Sequence, residues 1–203
     1  MINTVIFDIG GVLIDFDWEG FMRRMFPGRD ELITELDAAV WGERRWDRLD
    51  AGDDPEKVFA SIIAHAPHRE QELRKVFENV GDTLKKRDST PSWINGLKAR
   101  GYRVLYLSNY SRYVMSKNPE VLDFVPLLDG GIFSCDVKLI KPDREIYAAL
   151  AEKYNLNPSE CVFIDDLERN VTAAREFGYK AIHFGTLSQT QRDLEKLLEE
   201  NKE

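Results

Sequence analysis

Cysteine is scarce in this chain: 2 residues in 203, Cys135 and Cys161, far apart in sequence. So few thiols exclude a disulfide framework. Cys161 lies in the apolar run Cys161-Val162-Phe163-Ile164 and reads as a reduced core thiol, as in a reducing compartment. A basic excess is also missing. The 28 Lys+Arg are outnumbered by 36 Asp+Glu, for a net charge of -8. That balance argues against nucleic acid as a partner. No apolar run approaches the ~18 residues of a membrane span. Met1 to Ile9 lacks a basic leader and is interrupted by Asp8, so it does not read as a secretion signal. The expectation is a cytoplasmic protein, monomeric or a weak homodimer, with no membrane partner. No internal repeat is visible, and the charged tail from Glu195 reads as a solvated helix end.

The length suits one core domain plus a modest insertion, able to bury roughly 70% of the unfolded chain's surface. Thr4-Val5-Ile6-Phe7 is a β-branched, apolar run ending at Asp8 and a glycine pair, which predicts a buried strand. From Asp17 to about Gly81 the texture is helical. Phe21, Met22 and Met25 share one face, as do Leu32, Leu36 and Ala39, and Asp54-Pro55-Glu56 opens a helix through Val58, Phe59 and Ile62. Leu73, Val76, Phe77 and Val80 form a further stripe. After Thr90-Pro91 helices alternate with the strands Val104–Leu107, Gly131–Phe133, Cys161–Ile164 and Ala181–Phe184. Ser188 with Gln191 resembles a capping box for a C-terminal helix. Apolar strands separated by helices predict an α/β fold, a Rossmann-like parallel sheet in a three-layer αβα core. The expected core is residues 1–16 and 84–203, with an α-helical bundle, 17–83, inserted after the first strand.

Parallel sheets bind ligands at the carboxyl ends of their strands. The residues leaving the apolar runs are Asp8, Ser108 and Asp165-Asp166, with Lys141 in the loop after the Phe133 strand. Any one of them alone reads as a cap, a turn former or a surface charge. Together, in order along one rim, they suit phosphoryl transfer. Phosphate-monoester hydrolysis is so slow that catalysed accelerations reach about 10²¹. A carboxylate nucleophile divides it into formation and hydrolysis of an aspartyl-phosphate. Bringing two anions together demands positive charge. Mg²⁺ supplies it through hard oxygen ligands, for which Asp8 and Asp166 qualify, with Asp165 as ligand or support. Lys141 would neutralise a phosphoryl oxygen, and Ser108 with the N–H groups of Gly10-Gly11 would complete a cradle.

These residues resemble the four motifs of the haloacid dehalogenase-like superfamily. Phe7-Asp8-Ile9-Gly10-Gly11-Val12-Leu13 resembles the first and Leu107-Ser108-Asn109 the second. Lys141-Pro142-Asp143 with Ile146-Tyr147 resembles the third, and Phe163-Ile164-Asp165-Asp166 with Asn170, Ala174 and Gly178 the fourth. The inserted helices resemble that family's cap. Asp8-Ile9-Gly10-Gly11-Val12 and Trp41-Gly42-Glu43 to Ala51-Gly52-Asp53 are similar to α-glucose-1-phosphate phosphatases and to the phosphatase domain of soluble epoxide hydrolases. The resemblance implies Asp8 as nucleophile, and Asp8, the Gly10 carbonyl, Asp166 and Asp165 as metal ligands. It implies Ser108 and Lys141 as holders of the phosphoryl group, with a small phosphorylated metabolite as partner and Asn109 and Gly11 beside it.

One position departs from the family. Most of its phosphatases carry a second Asp two residues after the nucleophile, as general acid and base; here that residue is Gly10. General acid–base catalysis is worth about 10²–10⁴-fold. The expectation is therefore a phosphatase rather than a phosphomutase, favouring good leaving groups such as anomeric sugar phosphates. Asp15 is the expected replacement acid, with Asp17 next to it. Trp18, Phe21, Trp41, Arg45 and Trp46 are the cap residues expected to set specificity, against a plain packing role. His65 and His68 are not expected to hold a metal, because Pro67 breaks the helix between them. A hydrolytic dehalogenase on the same fold and a phosphometabolite-binding protein without turnover stand as alternatives.

Overall fold

The computed structural model describes residues 1–200. Five strands form one parallel sheet in the order β5-β4-β1-β6-β7: β1 Thr4–Phe7, β4 Arg103–Ser108, β5 Gly131–Phe133, β6 Cys161–Asp165 and β7 Lys180–His183. Thr4 of β1 registers with both Arg103 and Cys161, so β1 is the central strand. Every residue of β1 and β6 is buried, which is why both read as unbroken apolar runs rather than alternating ones. Alternation still decides which face each side chain enters. Ile6, Leu105, Leu107 and Phe163 pack on one side of the sheet; Val5, Phe7, Val104, Val162 and Ile164 pack on the other.

Helices cover both faces. Along the core run α6 Ser89–Ala99, α7 Arg112–Lys117, α8 Ser134–Val137, α9 Arg144–Tyr154, α10 Glu168–Phe177 and α11 Leu187–Glu199. α10 stops at Gly178, whose φ of 118° is open to glycine. The cap of α11 is a correction to the sequence reading: Thr186, not Ser188, accepts from the Gln189 N–H. The chain reaches Leu187 extended, which puts the threonine at the first free turn.

Between β1 and β4 the chain makes two further strands, β2 Ile14–Phe16 and β3 Leu84–Lys86, paired antiparallel. Between these lie α1 Trp18–Met25, α2 Asp30–Trp41, α3 Asp47–Asp50, α4 Pro55–Ile63 and α5 Glu70–Glu78. Asp17 caps α1 through the Gly20 N–H, and Asp54 caps α4 with Pro55 in the first turn. Phe21, Met22, Leu36, Val58, Phe59, Leu73 and Phe77 pack the helices into the same apolar cluster as the Val5 face of the sheet. No described helix is long and apolar enough to cross a membrane.

The strand order reverses between β1 and β6. The chain first builds outward on one side through β4 and β5, then returns to build β6 and β7 on the other. Such a reversal leaves a crevice at the carboxyl ends of the two strands. Asp8 and Asp165-Asp166 sit at those ends.

Candidate active site

At the crevice three carboxylates meet one ammonium. Asp8, Asp165 and Asp166 each offer an oxygen within 4.8 Å of the others. Lys141 is 1% exposed and reaches Asp165 Oδ2 at 2.6 Å and Asp8 Oδ1 at 2.9 Å. Asp8 Oδ1 also accepts the Ile9 N–H at 2.7 Å, while its second oxygen, Oδ2, takes no hydrogen bond from a described residue. Asp165 is saturated. Besides Lys141, it accepts from the Leu167 N–H at 2.8 Å and from Asn170 Nδ2 at 3.0 and 3.1 Å. No other described residue donates to the Asp166 carboxylate. It packs so closely on Gly11 that a Cβ there would lie 2.2 Å from Asp166 Oδ2.

The electrostatics follow from burial. With all groups ionised the cluster holds two surplus negative charges. Burial, reinforced by Asp165 and Asp166 and opposed by Lys141, pushes the Asp8 carboxyl up to about 7. Burial and Asp165 raise Asp166 as well. Burial alone would lower Lys141, yet Asp165 and Asp8 hold its ammonium above the usual lysine range. Two half-free carboxylates beside a saturated third, with surplus negative charge and oxygen-only donors, make a donor set that fits a hard divalent cation.

The β4 end supplies the rest of the rim. Ser108 is 1% exposed, and no other described residue hydrogen-bonds its hydroxyl. Asn109 clasps the Lys141 peptide, accepting its N–H at 2.8 Å and donating to its carbonyl at 3.0 Å. Asn109 thus fixes the loop carrying the buried lysine, besides lining the cavity above the carboxylates. Gly10 faces open space: a Cβ at this position would meet nothing within 4 Å.

The chain matches the haloacid dehalogenase-like hydrolase family over residues 2–178. It belongs to that family. A sesquiterpene phosphatase of Aspergillus oryzae is 24% identical, covering 97% of this chain and 96% of its own. A D-ribitol-5-phosphate phosphatase of Bacteroides thetaiotaomicron is 28% identical, covering 89% of this chain and 90% of its own. Among solved structures, a haloacid dehalogenase-family enzyme of Bacteroides thetaiotaomicron in complex with magnesium and inorganic phosphate shares the fold. Its TM-score is 0.71 at 21% identity, covering 93% of this chain and 98% of that one.

In this haloacid dehalogenase-like hydrolase the helices between β2 and β3 roof the rim, enclosing a cavity of about 320 Å³ over Asp8, Gly10, Lys141 and Asp166. Trp18, Trp41 and Trp46 line it together, with ring centroids 5.0 to 6.4 Å apart. Trp18 is held by its Nε1–H, which donates to Asp37 Oδ1 at 2.7 Å. Phe21 does not join them and is buried in the core.

Three expectations need correction. Asp15 does not line the cavity: it sits on β2, pairs with Arg87 Nε at 2.5 Å and lines a neighbouring open groove with Gly11, Lys85, Asp166 and Gly185. The pleat sends alternate side chains of a strand to opposite faces, and Phe16 is the neighbour that enters the cavity. Asp17 is occupied as the cap of α1 and by Arg24 at 2.8 Å. Arg45 also misses the cavity, because its guanidinium donates to the Ala38 and Ala39 carbonyls at 2.8 Å each. These carbonyls lie in the last turn of α2, where a cation is favoured. His65 contacts the Ser61 carbonyl and His68 contacts Glu35.

The sequence reading missed Arg44, Asp50 and Tyr110, all lining the cavity. Arg44 is tied to Asp47 in an ion pair. Asp50 lies one residue before Ala51-Gly52-Asp53, and Tyr110 two residues after Ser108. Proximity to those motifs was the only signal available.

Proposed function

We propose that the chain is a Mg²⁺-dependent phosphatase that hydrolyses a small phosphate monoester through an aspartyl-phosphate on Asp8. The observation that carries this is the cluster of three carboxylates around one buried lysine, at the floor of a cavity large enough for a small metabolite. Asp8 Oδ2 is the attacking oxygen; Oδ1 is held in register by the Ile9 N–H and Lys141. As the P–O bond to the leaving group breaks, its electron pair departs with the leaving oxygen. Water then attacks phosphorus, releases phosphate and restores Asp8. Lys141 balances charge beside the reacting oxygens, Ser108 and the Gly11 N–H hold phosphoryl oxygens, and Asn109 positions Lys141. Asp8, Asp166 and the Gly10 carbonyl would hold Mg²⁺, with Asp165 steadying Lys141. The cation supplies the positive charge that lets two anions approach. Residues 17–83 serve as the cap over this site.

The substrate's organic part faces an aromatic wall. A sugar phosphate, including an anomeric one, meets it by stacking its C–H face on Trp18, Trp41 or Trp46. The D-ribitol-5-phosphate phosphatase acts on a compound of related type. The dehalogenase alternative needs no cation, and the surplus negative charge around Asp8 weighs against it. The non-catalytic alternative is weakened by Asp8 Oδ2 being free to attack.

The test is turnover of p-nitrophenyl phosphate. Activity is expected to vanish with EDTA, return with Mg²⁺, and be absent in Asp8→Asn at every Mg²⁺ concentration. Hydrolysis that persists in EDTA, or in Asp8→Asn, overturns the proposal.

A further inference from the structure

Position 10 leaves this hydrolase without a proton donor on the core side of the reacting phosphate. The space is open there and nothing fills it. The cap carries a carboxyl on the same cavity wall: Asp50, the last residue of α3, faces the cavity that holds Asp8, Lys141 and Asp166.

Its position is fixed to the core rather than to the cap alone. The fully buried Ser134 hydroxyl at the start of α8 donates to the Asp50 carbonyl at 2.6 Å and accepts the Tyr110 N–H at 2.9 Å. One side chain therefore ties the end of α3 to the loop after β4. Two residues on, Gly52 has φ +84° and lies so near α8 that a Cβ would stand 2.8 Å from the Cys135 carbonyl oxygen. The cap approaches the core more closely here than any side chain at position 52 would permit.

The surroundings suit a neutral acid. The charged groups acting on Asp50 are Asp47 on its own helix and Asp8 and Lys141 from the core. Burial foremost, then Asp47 and Asp8, pushes the Asp50 carboxyl up to about 8, so it keeps its proton at neutral pH. No described residue donates to it. The Tyr110 side chain borders the same cavity; its hydroxyl is buried and has no hydrogen-bond partner among the described residues, and burial and Asp50 both raise it. A carboxyl with no described donor on the cavity wall is placed to meet a ligand oxygen.

We propose that Asp50 is the catalytic acid of the reaction, protonating the leaving-group oxygen from the cap. This rests on the phosphatase reading above. In the first step Asp8 Oδ2 bonds to phosphorus, the P–O bond to the leaving group breaks, and that oxygen takes its proton from the Asp50 carboxyl to leave as an alcohol. In the second step the Asp50 carboxylate takes a proton from the attacking water, whose oxygen bonds to phosphorus as the Asp8–phosphorus link breaks. Inorganic phosphate leaves and Asp50 is protonated again. Positioned acid–base groups contribute about 10²–10⁴-fold, and poor leaving groups need them most. The preference for good leaving groups expected from Gly10 is accordingly weakened.

The experiment compares single-turnover release of the leaving group from p-nitrophenyl phosphate, whose phenolate departs unprotonated, and from an alkyl monophosphate, in wild type and Asp50→Asn with Mg²⁺. Asp50→Asn is expected to release nitrophenolate within about threefold of wild type while losing at least about 100-fold on the alkyl ester. In the unmodified enzyme the alkyl rate is expected to show an alkaline limb as the Asp50 carboxyl loses its proton, with no such limb for nitrophenolate release. Equal losses on both esters, no loss on the alkyl ester, or the same alkaline limb for both overturns the assignment of Asp50. A wild-type chain that cleaves neither ester with Mg²⁺ overturns the phosphatase reading and this assignment with it.

Discussion

Replacing Asp8 by Asn should make the metal-free protein more stable while abolishing its activity. The Asp8 carboxyl is raised from 3.8 to about 7 in the folded state, by burial first and then by Asp165 and Asp166, against the pull of Lys141. A raised acid binds more protons folded than unfolded between those two values, so stability falls as pH rises across that window. The shift of about three units, at about 1.4 kcal/mol each, bounds the loss at about 4 kcal/mol above pH 7. Asn keeps the shape and can still accept from the Ile9 N–H and Lys141, but it never ionises. In EDTA the variant should therefore match wild type near pH 4 and exceed it by up to about 4 kcal/mol at pH 8. At roughly 2–4 °C per kcal/mol for a chain of this size, the difference is readable as a melting shift. Urea denaturation at pH 4, 6 and 8 is the direct assay. Mg²⁺ should close the gap by stabilising wild type more than the variant. A variant no more stable than wild type at pH 8, or a gap that does not grow with pH, refutes the electrostatic reading of this cluster.

Lys141→Met removes the only cation within the buried cluster; it should abolish turnover and cost about 3–5 kcal/mol in metal-free urea titrations, less at pH 5 where the carboxyls can take up protons. Gly11→Ala places a Cβ 2.2 Å from Asp166 Oδ2 at a φ of +74°. It should weaken Mg²⁺ binding at least tenfold by calorimetry, and unchanged affinity would remove Asp166 from the ligand set. Trp41→Ala takes away one wall of the cavity, and since an aromatic contact is worth about 0.5–1.5 kcal/mol, KM for p-nitrophenyl phosphate should rise roughly 3–10-fold with kcat little changed.

The core was legible because each buried strand advertises itself twice, by an apolar run and by the polar residue that ends it. Thr4–Phe7 into Asp8 and Cys161–Ile164 into Asp165-Asp166 needed no tertiary knowledge beyond the rule that parallel sheets expose those ends together. The ribbon of β2 and β3 was not legible. Its strands are 3 residues each and lie 67 residues apart between Phe16 and Leu84, so neither shows a period. Asp15 was misplaced for that reason. On a turn it would point at Asp8; on β2 it lines the neighbouring groove, and Arg87 holds it there. Arg45 failed differently. A cation near a helix C-terminus answers to backbone carbonyls first, and those carbonyls appear in no sequence pattern.

The same contrast separates the two halves of the chemistry. In the proposed reaction, attack on phosphorus falls to groups anchored to adjacent strands, where backbone register fixes Asp8 against Asp165 whatever the helices do. Handling the leaving group falls to side chains whose position depends on one helix docking on another. Asp50 reaches the site only because the Ser134 hydroxyl holds its carbonyl and because position 52 has no side chain to keep α8 away. Neither condition leaves a periodic trace, so a donor missing at Gly10 and supplied from the cap is invisible until the two parts are seen together.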